Sequence, residues 1–168
     1  MTKNISVSAL IIICLAMIEA AILSNISLLP AVPDLVLIAS IYIAMLNGKS
    51  FGVITGFISG LILDWMTGAP FGYNCLLRTV ICYCAGFFHG TLNFKGFFIP
   101  LLIGLCSTFA KVFVTWLMTL FYPATVMSYT LLSMSFFTEL LLNAFLCPLV
   151  FKILSSFDRQ LGFNSGEF

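Results

Sequence analysis

FGVITGFISGLILDWMTGAPFG, residues 51–72, carries a regular spacing of small residues on which the rest of the prediction depends. Gly52, Gly56 and Gly60 recur every four residues, and Asp64 takes the next position in the same register. Positions separated by four residues lie along one side of a helix. The register therefore predicts a helix with one stripe free of side chains, and such a stripe lets the backbone of a second membrane helix approach closely.

The same spacing continues beyond the acid into a turn. Gly68 and Gly72 take the next two positions, with Pro70 between them, and proline and glycine in this combination end a helix. Asp64 thus lies close to the end of its helix, where a carboxylate in a membrane is costly unless it meets a partner. The motif, which we interpret as serving helix packing or partner contact, comprises Gly52, Gly56, Gly60, Asp64, Gly68, Pro70 and Gly72.

Composition assigns the chain to the membrane. Of its 168 residues, 61% are apolar and 8% are charged, against roughly 25% charged residues in soluble domains. The formal net charge of +1 lacks the basic excess of a nucleic-acid-binding protein. We therefore predict a single all-α membrane domain, residues 1–168, embedded in a lipid bilayer and without a nucleic acid as partner.

The chain offers no pattern typical of catalysis or of metal binding. The HExxH and phosphate-loop motifs do not occur in it, and its one GxSxG string, Gly-Lys-Ser-Phe-Gly at residues 48–52, lies between two predicted membrane helices and not at the strand-to-helix turn of a hydrolase. Its six cysteines fall in apolar runs, and Cys82 and Cys84 lack the second pair that a zinc site needs. We interpret the cysteines as small apolar packing residues. The protein is thus predicted not to be an enzyme and to hold neither a metal nor a cofactor.

Hydropathy predicts a bundle of six membrane-crossing helices. A spanning helix needs about 20 largely apolar residues. The second and third predicted helices are shorter and could instead form a re-entrant pair surrounded by protein, although we favour two complete spans. The predicted helices comprise residues 5–23, 33–47, 51–66, 73–93, 96–122 and 129–154, and a short tail, 155–168, follows them.

Basic residues between the predicted helices indicate the orientation of the bundle. The first, third and fifth connections contain neither lysine nor arginine. Cytoplasmic loops carry the excess of basic residues, so we predict that both termini are cytoplasmic. With six spans, the basic residues of the loops and tails all lie on one side of the membrane: Lys3, Lys49, Lys95, Lys152 and Arg159.

Six charged side chains fall within the predicted helices or at their ends, and the helical rise places none of them in the cytoplasmic third. A charge at the bilayer centre costs about 2.5–3.5 kcal/mol, so we expect these groups to pair. Matching depths predict that Lys111 pairs with Glu139, and Asp64 with Arg78. Structural ion pairs, a polar cavity open to the outside and a proton relay all remain open as roles. The predicted network contains Glu19, Asp34, Asp64, Arg78, Lys111 and Glu139.

Two patterns in the chain resemble the MreD family of rod shape-determining proteins. The first is Pro-Asp-Leu at the start of a helix, followed by the spacing Gly-Phe-x-x-Gly-x-x-x-Asp-x-x-x-Gly-x-x-x-Gly. The second is Asn-x-x-x-x-Pro in the last predicted helix. The matching residues are Pro33, Asp34, Leu35, Gly56, Phe57, Gly60, Asp64, Gly68 and Gly72, with Asn143 and Pro148 near the C-terminus.

The resemblance implies a fold, a location and a function. MreD-like proteins are similar in fold to the substrate-binding S-component of energy-coupling-factor transporters, a six-helix bundle, and lie in the bacterial inner membrane. They are non-enzymatic scaffolds of the elongation machinery, which directs lateral peptidoglycan synthesis. The implied partners are MreC, a bitopic membrane protein, the actin-like MreB and the cell-wall synthesis enzymes. The alternative is a substrate-binding membrane subunit of a vitamin-type transporter.

Overall fold

A computed structural model of the chain describes residues 2–21, 31–67, 70–91, 96–121 and 133–162. Every regular element within these ranges is a helix. The helices are α1 (Thr2–Ala21), α2 (Leu35–Asn47), α3 (Lys49–Thr67), α4 (Tyr73–Gly86), α5 (Phe98–Phe121), α6 (Met134–Ser155) and α7 (Asp158–Leu161).

Three of these helices, α3, α5 and α6, are long and apolar enough to cross a membrane. The segments Ser6–Ala21, in α1, and Leu35–Asn47, which is α2, are apolar but shorter. The described chain is therefore all-helical and carries helices of the length and composition that membrane proteins use.

The central helix is α2. Every residue from Val36 to Met45 is buried, and α1, α3, α4 and α6 all pack against it. A helix that is apolar on every side belongs in a core rather than at a surface. Ser40, in the middle of this buried run, donates its hydroxyl proton to the carbonyl of Val36 at 2.7 Å, which satisfies the hydroxyl within the helix itself.

The helices α3 and α4 form an antiparallel hairpin with direct backbone contact. A Cβ added to Gly52, Gly56 or Gly60 would lie 2.5, 2.6 or 2.4 Å from a backbone atom of α4. At the other end of the contact, a Cβ on Gly86 of α4 would lie 2.6 Å from Cα of Lys49. Only a residue without a Cβ permits such an approach, so the glycines set the spacing between the two helices.

The turn between α2 and α3 is a single residue, Gly48. Its φ of +91° lies in the left-handed region that favours glycine, and its N–H donates to the Ala44 carbonyl at 2.8 Å. The helix α3 consequently starts at Lys49, earlier than the predicted start at residue 51.

The helix α4 ends at Gly86, so the predicted helix 73–93 is too long. Beyond Gly86 the N–H groups of residues 87–89 bond to carbonyls three residues earlier, which tightens the last turn. Gly90 then adopts φ +73°. A glycine of positive φ is a common helix terminator, and hydropathy does not register the helix end at Gly86 because Phe87 and Phe88, which follow it, are apolar.

The C-terminal tail, predicted only as a short segment after the last helix, returns to the bundle as α7. Leu161 is fully buried, and its carbonyl accepts a hydrogen bond from Asn47 Nδ2 at 3.0 Å. The hydroxyl of Tyr42 donates to the carboxylate of Asp158. These contacts close the end of the bundle at which α2 terminates.

Candidate functional site

Charged side chains from several helices meet in the half of the bundle where α2 begins. Asp34 lies at the centre: its Oδ1 is 2.5 Å from Arg78 Nη2, and its Oδ2 is 3.1 Å from Lys111 Nζ. Lys111 also reaches Glu139 Oε1 at 2.6 Å, so the predicted pairing of these two residues is present. The polar cluster, as we call it, comprises Glu19, Asp34, Arg78, Lys111, Glu139 and Asn143.

Asp34 occupies its position because it caps α2. Its Oδ1 accepts the N–H of Leu37 at 2.9 Å, which satisfies one of the free amides of the first turn. Glu19, from the end of α1, accepts the N–H of Val36 at 3.1 Å. Two carboxylates thus stand at the positive end of the α2 dipole, which lowers the cost of their charges.

Asn143 joins α6 to both α2 and α5. Its Oδ1 accepts the backbone N–H of Asp34 at 2.9 Å, and its Nδ2 donates to Thr108 Oγ1 at 3.0 Å. Thr108 in turn donates to the carbonyl of Gly104 at 3.0 Å. A Cβ on Gly104 would lie 2.6 Å from the Asn143 carbonyl oxygen, so α5 and α6 also touch through a glycine.

Sequence reasoning did not single out Gly104 or Thr108. Their spacing of four residues was the available signal, since it puts a glycine and a small hydroxyl residue on one side of α5. Pro148, the second residue of the C-terminal pattern, lies inside α6, one turn beyond Ala144, which is buried.

The pairing predicted between Asp64 and Arg78 is wrong. Arg78 bonds to Asp34 instead, and its Nε and Nη1 are buried without a hydrogen-bond partner in the described part of the chain. The two residues also lie at different levels of the hairpin, because Arg78 is opposite Gly56, about two helical turns from Asp64 along α3. Arg78 faces α2, whereas Asp64 faces the first turn of α4.

Asp64 caps α4 from the neighbouring helix. Its Oδ2 accepts the N–H of Gly72 at 2.9 Å, and its Oδ1 accepts the N–H of Asn74 at 3.0 Å. The side-chain Nδ2 of Asn74 also donates to Oδ1, at 2.9 Å. The first residue of this turn, Gly72, offers no side chain of its own for capping, so a carboxylate from α3 takes that role.

The remaining motif residues divide between the helix contact and the turn. Gly72 has φ +93°, and the carbonyl of Pro70 accepts the N–H of Tyr73 at 3.0 Å, which closes the turn into α4. Gly68 lies outside the described residues. The stripe of Gly52, Gly56 and Gly60 faces α4 and is in backbone contact with it.

The polar cluster is arranged as alternating charges. Cations from α4 and α5 lie between carboxylates from α2 and α6, and each contact joins two different helices. In the ranges that the structure describes, no group of three or more His, Cys, Asp or Glu is placed to hold a metal ion. This geometry suits ion pairs that determine which helices pack together, because breaking one would leave a buried charge uncompensated.

A second feature, absent from the sequence prediction, is an apolar groove between α2, α4 and α5 with a volume of about 310 Å³. It lies in the half of the bundle away from the polar cluster. At the end of the bundle that holds the polar cluster, a hydrogen bond of 2.8 Å between the hydroxyls of Tyr73 and Thr115 links α4 to α5. The groove, which we call the lateral groove, is lined by Ile41, Met45, Ile81, Ala85, Leu102 and Cys106 among others.

The cysteines differ in their surroundings. Cys75, Cys82 and Cys147 are buried, as packing residues would be, whereas Cys14, Cys84 and Cys106 are exposed on the outside of the bundle. The interpretation of all cysteines as packing residues therefore applies to the first three. Cys84 and Cys106 line the lateral groove.

Comparison with known proteins gives one match. The family model described as rod shape-determining protein MreD matches residues 1–157. No curated protein and no solved structure matches the chain. The matched range contains the glycine motif, every residue of the polar cluster and Pro148.

Proposed function

The chain belongs to the MreD family of bacterial rod shape-determining membrane proteins, and from this premise we propose that it is a non-enzymatic scaffold of the elongation machinery. Membership of the family supports a role in rod shape determination. In our proposal the chain partners an MreC-like bitopic protein and, directly or through it, an MreB-like actin homologue. The assembly directs cell-wall synthesis enzymes to lateral peptidoglycan synthesis.

The observation that carries this proposal is the family match over residues 1–157. The geometry is compatible with a scaffold, since the buried charges of Asp34, Arg78 and Glu139 bond to one another or to the half-buried Lys111. Neither the lateral groove nor the small cavity between α1 and α3 is lined by a charged side chain. The alternative of a vitamin-type transport subunit therefore draws no specific support from these cavities.

We further propose a single domain with six spans in the inner membrane and both termini in the cytoplasm. Lys49, at the start of α3, and Arg159, in α7, support this orientation, because α7 contacts the end of α2 through Asn47 and so shares one end of the bundle with Lys49. Lys152, in the last turn of α6, precedes α7 directly. Basic residues gathered at one end indicate the cytoplasmic side.

The proposal is tested by deletion, complementation and partner capture in the bacterium that encodes the chain. Deletion should produce rounded cells, and the wild-type gene should restore rods. Tagged wild-type protein, cross-linked in membranes, should recover an MreC-like protein, whereas an unrelated multi-span protein carrying the same tag should not.

Variants connect this test to the structure. Asp64→Ala should round the cells because α4 loses the carboxylate that caps it, while Gly96→Ala, at a position with nothing within 4 Å of an added Cβ, should leave rods. Immunoblots of the membrane fraction report how much of each variant is present. Rods of normal width after deletion, together with no MreC-like protein in the cross-linked fraction, would overturn the proposal.

A further inference from the structure

The polar cluster contains more carboxyl groups than cations. Three carboxyl groups meet two cations in it, namely Glu19, Asp34 and Glu139 with Arg78 and Lys111. The segments that connect α1 to α2, α3 to α4 and α5 to α6 contain neither a charged residue nor a histidine: residues 22–33, 68–72 and 122–133. With every group ionised, three negative charges against two positive ones would leave the cluster negative.

The surroundings of the cluster make that excess charge costly. The exposed fractions of Asp34, Arg78 and Glu139 are 4%, 2% and 1%, so water solvates these groups little. The dipole of α2 supplies the equivalent of about half a positive charge, which leaves the sum negative. A buried carboxylate without a partner is neutralised by taking up a proton. The excess of carboxyl groups therefore calls for one bound proton.

Glu19 is the carboxyl group that lacks a cation. Asp34 bonds to both Arg78 and Lys111, and Glu139 bonds to Lys111. In the described part of the chain, Glu19 accepts only the N–H of Val36, at 3.1 Å. Arg78 is buried with its Nε and Nη1 still without an acceptor, and even so it bonds to Asp34 and not to Glu19.

Asp34 adds repulsion to this lack of a partner. Its Oδ1 accepts the N–H of Leu37, the next amide after the one that Glu19 accepts. Two carboxylates on successive amides of one helical turn are close, and like charges at short range disfavour the ionisation of one of them. Asp34 keeps its charge because two cations compensate it. Glu19 can take up a proton without losing its bond to Val36, since a protonated carboxyl group retains acceptor capacity.

The other groups near Glu19 do not supply the missing positive charge. Asp64 of α3 bonds to the first-turn amides of α4 and adds a further negative charge at this end of the bundle. The titratable residues at the start of α4, Tyr73 and Cys75, bond to the Thr115 hydroxyl and the Phe57 carbonyl. The other charged residues of the described chain and its histidine lie at the opposite end: Lys3, Lys49, His89, Lys152, Asp158 and Arg159.

A proton fits this cluster better than a metal ion does. A metal ion would need several free oxygen ligands at once. Both carboxylate oxygens of Asp34 already bond to cations, and the described residues provide no group of three His, Cys, Asp or Glu for a metal ion. A proton needs one oxygen. Glu19 is half-buried in the last turn of α1, so its carboxyl group can exchange a proton with water at that end.

We propose that the polar cluster binds one exchangeable proton, which the carboxyl group of Glu19 holds and takes from the water at the end of the bundle where α2 begins. The bound proton keeps the end of α1 on the first turn of α2. Without it, the carboxylates of Glu19 and Asp34 repel each other across this contact. The proposal does not depend on the scaffold function and applies to the isolated protein.

The test compares the wild type with Glu19→Gln, which is neutral, has the same shape and keeps an acceptor for Val36. Unfolding of the full chain is measured by SDS titration in mixed micelles from about pH 5 to about pH 8, a range in which glutamate in an unfolded chain is ionised. The folded wild type then binds one proton more than the unfolded chain. Its unfolding equilibrium constant should therefore rise with pH, by up to about tenfold per pH unit, until the folded protein releases the proton.

Glu19→Gln should lack this rise. It should match the wild type at the lower end of the range and be the more stable protein at the upper end. The titration of His89 is common to both proteins and cancels in the comparison. If Glu19 were instead ionised and stabilised by the α2 dipole, Glu19→Gln would be the less stable protein at neutral pH. That result, or parallel pH profiles, would overturn the proposal.

Two further variants test the charge count. Glu139→Gln leaves two carboxylates for two cations, so Glu19 should ionise and the rise with pH should disappear. Asp64→Asn removes a carboxylate that bonds to amides of α4 outside the cluster, and it should keep the wild-type rise. A wild-type rise in Glu139→Gln would show that the excess carboxyl group is not its cause and would overturn the proposal.

Infrared spectroscopy detects the proton directly. At about pH 6, where ordinary glutamates are ionised, protein labelled with ¹³C at the glutamate carboxyl should show a label-shifted C=O stretch of a protonated carboxylic acid. The band should be absent from Glu19→Gln. Folded wild-type protein without this band would contradict the proposal. Stabilisation of the wild type by sodium at constant pH and ionic strength, absent from Glu19→Gln, would identify a metal ion instead and would also overturn it.

Discussion

The two sides of α4 are held in opposite ways. Toward α3 the backbones touch: a Cβ on Gly56 would lie 2.6 Å from the Arg78 carbonyl oxygen. Toward α5, the hydroxyls of Tyr73 and Thr115 form a hydrogen bond at one end of α4. Further along α4, the two helices line a groove of about 310 Å³. Burying apolar surface between helices gives little advantage over burying it in lipid. Close contact in a membrane therefore needs glycines and polar bonds, and the lateral groove lies where α4 and α5 lack them.

Polar bonds follow the same division. On the side toward α3, Asp64 bonds to the first-turn amides of α4. On the open side the described contacts between α4 and α5 are otherwise apolar along the groove. Substitutions on each side of α4 test this difference.

The largest effect is expected for Asp34→Ala. The substitution leaves the guanidinium of Arg78 buried and without its carboxylate, and it also removes a contact of Lys111. Loss of one partner from a buried ion pair costs about 3–5 kcal/mol. The free energy of unfolding, measured by SDS titration in mixed micelles, should fall by that amount.

A paired substitution is the control for this prediction. Replacing both Asp34 and Arg78 by leucine should recover part of the loss, because no uncompensated charge of that pair remains. A loss below about 1 kcal/mol for Asp34→Ala, the range of exposed pairs, would show that water reaches the cluster and that the ion pair does not hold α4 to α2.

Gly60→Ala comes next in expected effect. Its added Cβ would lie 2.4 Å from Cα of Cys75, a backbone atom that can move only if α4 moves. Overpacking of this kind costs about 1–3 kcal/mol. Gly96→Ala is the matched control, since an added Cβ there meets nothing within 4 Å. Equal stability of the two variants would mean that α3 and α4 are not in contact.

Asp64→Ala should have a somewhat smaller effect. The first-turn amides of α4 lose their acceptor, as at a deleted helix cap, which costs about 0.5–2 kcal/mol. Hydrogen exchange at residues 72–75 should accelerate, while exchange in the middle of α2 should stay slow. Asp64→Asn keeps one carbonyl acceptor and should lie between the wild type and Asp64→Ala. Identical exchange in all three proteins would contradict the capping role.

Some of this arrangement is readable from sequence because it depends on spacing along one helix. Gly52, Gly56 and Gly60 share a register, so the sequence indicates that one side of α3 approaches a neighbour. The pairing of Lys111 with Glu139 follows from their equal depths. Both inferences use distances along a helix axis, and the local sequence determines these distances because each residue adds a fixed rise.

The other features depend on which residues of a neighbouring helix lie opposite, and a sequence pattern within one helix does not contain that information. The level of α4 relative to α3 determines the partner of Asp64: it brings the amides at the start of α4 to the carboxylate and leaves Arg78 opposite Gly56, about two turns away. The lateral groove likewise depends on the distance between α4 and α5. Small residues such as Ala85 and Ala110 permit both close packing and a gap, so sequence alone does not distinguish the two.

The smallest effect is expected on the open side, for Leu102→Ala. Leu102 lines the lateral groove and is 57% exposed, so lipid can replace the atoms that the substitution removes. The free energy of unfolding should change by less than about 0.5 kcal/mol, as at other exposed positions. The same substitution at Leu77 of α4, which is 1% exposed, should cost about 2–5 kcal/mol because it leaves a cavity. If Leu102→Ala proved as costly as Leu77→Ala, the side of α4 toward α5 would be a packed core in the membrane. The two sides of the helix would then be held in the same way.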